Sequence, residues 1–303
     1  MNRLRWIFLD ERGLRSGWRF ALFLALYFMA AEAIDWTSTK LHWADRSFTW
    51  SGLLWGCAQD LAVVAAVAWV MSKIGREPYS SYGLPLTRSA WGLLLKGAWW
   101  VFLPSVVILV PIYLAGGCSF HGFALPAREF VFFGFAWALA FLAVGFSEEF
   151  LFRGYALKTL AEGIGFWPAA IFLSSIFGLV HLIFKPHEDW IDPLSVSLYG
   201  IFWCLTLRRT GSLWFAVGFH AASDYADMVV FAEPNSGNDG KPLPGHLLDV
   251  RFQGPDWLTG GPRGTEASLL VFGVLAVLFF LFNRAYPART VPAVALQEME
   301  SRS

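Results

Sequence analysis

The chain has 303 residues, 56% of them hydrophobic, 17% aromatic and only 15% charged, where an ordinary soluble domain carries about 25% charged residues. Its 23 basic and 23 acidic side chains cancel, so nothing points to a nucleic-acid surface and no nucleic-acid partner is expected. Cys57, Cys118 and Cys204 lie far apart with no CxxC pair, so neither a disulfide framework nor a cysteine metal site is indicated.

The apolar residues are gathered into runs near the length that crosses about 30 Å of hydrocarbon. Residues 1–17 read as an amphipathic interfacial lead-in, with Leu4, Trp6, Ile7, Phe8 and Leu14 on its apolar side. Asp10, Glu11 and the lack of a small-residue cleavage site argue against a removable signal peptide. Eight spans follow within a transmembrane helical domain, 18–283: Trp18–Ile34, Trp50–Met71, Ala90–Leu114, Phe130–Phe146 and beyond, Phe166–Phe184, Leu194–Leu207, Leu213–Phe231 and Ala267–Phe282. The fold class is therefore all-α, a polytopic transmembrane bundle. A Gly- and Pro-rich stretch, 232–266, reads as an irregular external loop, and 284–303 as a polar cytoplasmic tail.

Lys and Arg set the expected orientation, because cytoplasmic loops retain them. With the N-terminus inside, 14 of the 23 fall on the inner side and seven on the outer, while Arg19 and Lys96 fall within spans. Both termini are expected to be cytoplasmic, in the plasma (inner) membrane if the source is prokaryotic.

An ionisable group inside a bilayer costs at least about 2.5–3.5 kcal/mol, so each needs a reason. They concentrate within a core, 130–231, in three strings: Glu148-Glu149-Phe150-Leu151-Phe152-Arg153, Phe177-Gly178-Leu179-Val180-His181, and His220-Ala221-Ala222-Ser223-Asp224. Glu149 and Arg153 stand one helical turn apart and share a face, as do Phe177 and His181, and His220 and Asp224. Glu148 points about 100° away from Glu149 and is free for another partner. Converging, these faces supply a carboxylate and an imidazole to take a proton from water, and donors for a developing oxyanion. Taken singly, a Glu pair is more often a helix-end cap and an intramembrane His more often packing; their coincidence favours a site.

In order and spacing the three strings resemble the EExxxR, FxxxH and HxxxN/D motifs of the CPBP (CAAX protease and bacteriocin-processing) family of intramembrane proteases, which includes the type II CAAX prenyl endopeptidases. The resemblance covers about 80 residues, 148–224. It implies a membrane-embedded peptidase acting, amid membrane lipid, on a peptide or prenylated CAAX-type protein substrate. By position, Glu148 would act on the water with His181. His220 and Asp224 would stabilise the oxyanion, and Glu149 and Arg153 would hold the site together. Asp224 stands where the prenyl endopeptidase branch commonly has Asn; an ionised Asp would repel an oxyanion, so orientation of His220 is its favoured role. The family has been described both as metalloproteases and as glutamate-dependent proteases. Glu148, His181 and His220 are the candidate ligands for a divalent metal such as zinc.

No HExxH is present, since Ile191 fills the second position after His187-Glu188, and there is no GxSG, GxGD, GxSxG or P-loop. Asp60, Glu32 and Lys96 read as bundle pairs or snorkelling groups. A linear ruler puts His181 about 22 Å along a span that starts at Phe166, so Glu148 can meet it only if the fourth helix runs on towards Leu160. Access is expected from the cytoplasmic side or laterally from lipid. The competing readings are a proton- or ion-coupled transporter and a non-catalytic scaffold or immunity protein of the same family.

Overall fold

A computed structural model describes residues 7–10, 13–43, 47–186 and 189–288. The chain is an all-α bundle whose main helices are α1 (Ser16–Lys40), α2 (Trp50–Gly75), α3 (Arg88–Trp100), α4 (Phe102–Leu114), α5 (Ala127–Arg153), α6 (Tyr155–Ile164), α7 (Phe166–Phe184), α8 (Ile191–Thr210), α9 (Trp214–Asp224) and α10 (Leu270–Ala285). Among the described residues, five stretches are long and apolar enough to cross a membrane: Ser16–Lys40, Trp50–Gly75, Arg88–Leu114, Ala127–Ile164 and Phe166–Phe184. The other three expected spans are also helical, as α8, as α9 with its π-helical extension Tyr225–Val230, and as α10. They read less clearly as spans because α8 carries Asp192, Arg208 and Arg209, and α9 and α10 are short.

Of the expected lead-in, Leu4, Trp6 and Glu11 lie outside the described residues. Its described part holds a two-residue hairpin, β1 (Leu9–Asp10) against β2 (Gly13–Leu14), with Ile7 and Phe8 exposed. The tail from 289 onward and His187-Glu188 also lie outside.

The interior is assembled by close backbone approach, as expected where lipid removes the hydrophobic drive between helices. Every residue from Trp214 to Ala221 on α9 is buried. A Cβ at Gly97 of α3 would stand 2.1 Å from the Phe215 carbonyl oxygen, and one at Gly218 would stand 2.0 Å from that of Leu94, so α3 and α9 cross main chain to main chain. Gly178 on α7 meets the Pro193 carbonyl of α8 in the same way, at 2.2 Å.

The fourth span continues beyond Phe146 as expected, but only to Arg153. The chain turns at Gly154 (φ −78°, ψ −115°) and restarts as α6. A Cβ on Gly154 would lie 2.4 Å from the Phe150 oxygen, so the corner requires glycine. The 27 residues of α5 measure about 40 Å at 1.5 Å per residue. Glu148 stands about 31 Å along it, about 8 Å short of its end.

Two faces result from the up-and-down course. The chain-end face holds the start of α1 and the end of α10. It is tied by Arg19 to Glu162 (2.6 Å) and Glu77 (3.4 Å), and by Lys158 to Glu162 (2.8 Å) and Glu77. The opposite, loop face carries 231–269. This segment is more regular than its turn-rich composition suggests. Leu248, Val250 and Phe252 alternate with Asp249 and Arg251, a strand's period of two, and β4 (Leu248–Phe252) pairs antiparallel with β3 (Cys118–Phe123), which follows α4. Arg263, 7% exposed, contacts Asp189, Asp192 at 3.8 Å and Asp256 at 3.7 Å, fastening the loop to the start of α8.

Candidate active site

The three motif strings converge. Glu148 and Glu149 come from α5, His181 from the last turn of α7, and His220 and Asp224 from α9. Glu148, His181, His220 and Asp224 line one cavity of about 180 Å³. Glu149 and Arg153, 0% and 1% exposed, stand behind it.

The helical spacing makes the inner contacts. Arg153 Nη1 donates to Glu149 Oε1 at 3.1 Å across one turn. The same oxygen lies 2.9 Å from His220 Nδ1. Glu149 thus couples α5 to α9. A carboxylate oxygen can only accept, so Nδ1 carries a hydrogen and Nε2 is turned to the other groups. Glu148 Oε2 stands 3.7 Å and Asp224 Oδ2 3.6 Å from Nε2. Both are ion-pair distances and longer than a hydrogen bond. The bond that orients His220 therefore comes from Glu149, not from Asp224 as the motif reading favoured, because Glu149 reaches across the helix interface while Asp224 faces the cavity.

His181 is fixed by its own helix. Its Nδ1 lies 2.9 Å from the Phe177 carbonyl oxygen, which assigns the hydrogen to Nδ1 and leaves Nε2 with a lone pair in the neutral ring. The Phe-x-x-x-His spacing that puts Phe177 and His181 on one face also supplies this acceptor.

Aromatic rings complete the setting. Trp203 of α8 stacks on His220, with centroids 4.2 Å apart and planes 10° from parallel. The Arg153 guanidinium lies over Phe177 at 4.6 Å and Trp203 at 5.2 Å. Its Nη2 lies where a Cβ on Gly200 would approach to 2.5 Å, so that glycine makes the room. Motif spacing gives no sign of Trp203 or Gly200. The available signal was that Trp203 sits mid-helix, whereas Trp18, Trp36, Trp43, Trp91 and Trp190 are exposed anchors at or near span ends.

Glu32, Asp60 and Lys96 are exposed on the bundle's flanks and do not join the cavity. Cys57 lines it as a free thiol, and Cys118 and Cys204 are free and buried. Among the described residues, no group of three His, Cys, Asp or Glu side chains is arranged to hold a metal ion. The candidate set Glu148, His181 and His220 is not arranged as one.

The cavity belongs to the loop face. Its wall includes Phe48 and Leu53 around the start of α2, Lys185 just past α7, and Glu233, Asn235 and Glu266 from the loop. The start of α1 and the end of α10 lie on the opposite face from these loop residues.

Five long apolar stretches, with carboxylates and imidazoles gathered on one interior cavity, describe an integral membrane protein with a polar pocket inside its helical bundle. Residues 130–226 match the family model described as type II CAAX prenyl endopeptidase Rce1-like. The matched segment takes in all three motif strings and supports a CPBP-family membrane protease, as the resemblance implied. No curated protein and no solved structure matches the chain.

Proposed function

We propose that the protein is an intramembrane endopeptidase that hydrolyses a peptide bond of a membrane-associated substrate, the prenylated CAAX type being the class its family suggests, with water activated by Glu148 and His181. The observation that carries the reading is the convergence of Glu148, His181, His220 and Asp224 on one cavity, backed by the Glu149–Arg153 pair.

Glu148 is the general base. It lies on the cavity wall with its side chain partly accessible, whereas the neighbouring Glu149 is sealed. His181 presents Nε2 as an acceptor and orients the same water. When doubly protonated, His220 offers an N–H at Nε2, because its Nδ1–H is held on Glu149. That donor receives the oxyanion as the carbonyl becomes tetrahedral. Asp224 takes part as a neutral acid or by holding His220 in its charged form. The proton removed from water passes through Glu148 to the leaving amine.

Both termini lie on the cytoplasmic side, as the distribution of Lys and Arg supports, and the membrane is the plasma (inner) membrane if the source is prokaryotic. The cavity then opens on the other side, and the substrate bond is presented from there or laterally from lipid.

Glu148→Ala tests the chemistry. Purified protein carrying it is expected to lose peptide cleavage while keeping the thermal transition of the parent in detergent. Full cleavage in that variant would remove Glu148 from the mechanism.

A further inference from the structure

The cavity is acidic beyond the needs of hydrolysis. Besides Glu148 and Asp224 it is lined by Asp227, Glu233 and Glu266. Its two Lys or Arg residues are already engaged: Lys185 lies 3.7 Å from Glu266, and Arg263 is held by Asp189, Asp192 and Asp256. Neither is placed to receive a further carboxylate.

The loop wall also holds two acceptors that lack donors. Glu233 is 2% exposed, and its Oε2 accepts from the Thr265 amide at 2.8 Å, but Oε1 has no partner. Asn235, two residues on and 5% exposed, has an unpartnered Oδ1. Leaving a buried acceptor unmade is costly, and two in one short stretch of a cavity wall can be satisfied by donors that arrive from outside the chain. A group that brings several N–H donors and positive charge satisfies both the orphan oxygens and the surrounding carboxylates.

We infer that Glu233 and Asn235 form a specificity subsite for a cationic side chain, lysine or arginine, of the peptide substrate. This rests on the peptidase reading of the cavity and adds to it. The uncompensated carboxylate selects the charge, and the amide oxygen fixes its direction. The segment Glu233-Pro234-Asn235 is held for this purpose at both ends. The Glu233 amide donates to the Asp227 carbonyl at 3.0 Å, and Asn235 forms a bridge with Lys241.

The test uses the full chain in detergent with Glu148→Gln, so that binding is read without turnover. Probes are fluorescent Leu/Ala dodecapeptides with one central lysine, norleucine or glutamate. Lysine is expected to bind about tenfold more tightly than norleucine, the order of one partly screened charge contact, and glutamate more weakly than either. Adding Glu233→Gln should bring lysine and norleucine within about twofold of each other while norleucine affinity is unchanged. Equal affinity for lysine and norleucine in the Glu233 protein overturns the subsite, and so does a lysine preference that survives Glu233→Gln. Cleavage of the same peptides by the Glu148 protein is scored separately. A lysine preference without cleavage upholds the subsite and counts against the peptidase reading; cleavage without the preference does the reverse.

Discussion

His220 lies flat on Trp203, with ring centroids 4.2 Å apart and planes 10° from parallel. Together with the 2.9 Å contact to Glu149, this stack fixes both the tilt and the rotation of the imidazole. Trp203→Leu leaves every ionisable group in place but removes the floor. We expect kcat for peptide cleavage to fall at least about tenfold with little change in KM, since misplacing a catalytic group by about 1 Å can cost about 100-fold. Unchanged kcat would show that Glu149 alone positions the ring.

Glu149 and Asp224 both approach His220, and their substitutions separate the two contacts. Glu149→Gln strips the counter-charge from buried Arg153, a loss on the order of 3–5 kcal/mol, and weakens the bond to Nδ1. Asp224→Asn leaves Nδ1 on Glu149. The first variant is expected to melt at a clearly lower temperature and to lose about 100-fold in cleavage; the second should fold normally and stay within about tenfold of the parent. The opposite ranking would make Asp224 the residue that orients His220.

Gly200 faces the Arg153 guanidinium so closely that a methyl group would stand 2.5 Å from Nη2 and 2.9 Å from Ser174 Cβ. Gly200→Ala is an overpacking change of about 1–3 kcal/mol. Activity and thermal stability should fall together, although the substitution touches no cavity-lining residue. A variant with the parent's melting temperature would show that Arg153 has room to move.

Glu233 gives a pH dependence whose sign can be worked out. Burial first, and then the neighbouring Glu266, push its carboxyl up to about 7 against the opposing hydrogen bond from Thr265. A carboxyl raised on folding binds its proton more tightly in the folded state. Its stabilising contribution is complete below the ordinary glutamate range and is lost as pH rises through about 7. The melting temperature of the parent relative to Glu233→Gln should therefore fall between pH 5 and 8, about the interval from the unfolded to the folded value. Asp224, Asp227, Glu266 and Lys185 share the cavity with this carboxyl, so the difference between the two proteins, not either curve alone, is the measurement. Lysine-peptide binding should strengthen over the same interval as Glu233 ionises.

The spans were legible because about twenty apolar residues in a row have few other uses. The pairs Glu149–Arg153 and Phe177–His181 were legible because one helical turn is a fixed ruler. Contacts between helices carry no such ruler. Nothing in the spacing connects Trp203 to His220, or Gly200 to Arg153, and His220 was assigned Asp224 because only the partner on its own helix was visible. The break at Gly154 escaped because a single glycine inside an apolar run is common, and what forbids a side chain there is the Phe150 carbonyl. The alternation in Leu248–Phe252 was readable, but the surrounding Gly and Pro residues drew it into a loop. Glu233 and Arg263 were hidden in the same stretch, where burial comes from packing over the cavity.

Helix α9 crosses α3 at Gly97 and Gly218 with main chain against main chain, and its residues Trp214–Ala221 are all buried. Such a helix can neither roll nor slide without parting two backbones, so it serves as the fixed frame against which the rest of the cavity is measured. Any opening that admits a peptide must come from the walls, from α5, the end of α7 or the loop. In hydrogen exchange the amides of Val217–Ala221 should accordingly be among the last to be replaced, whether or not a substrate is bound.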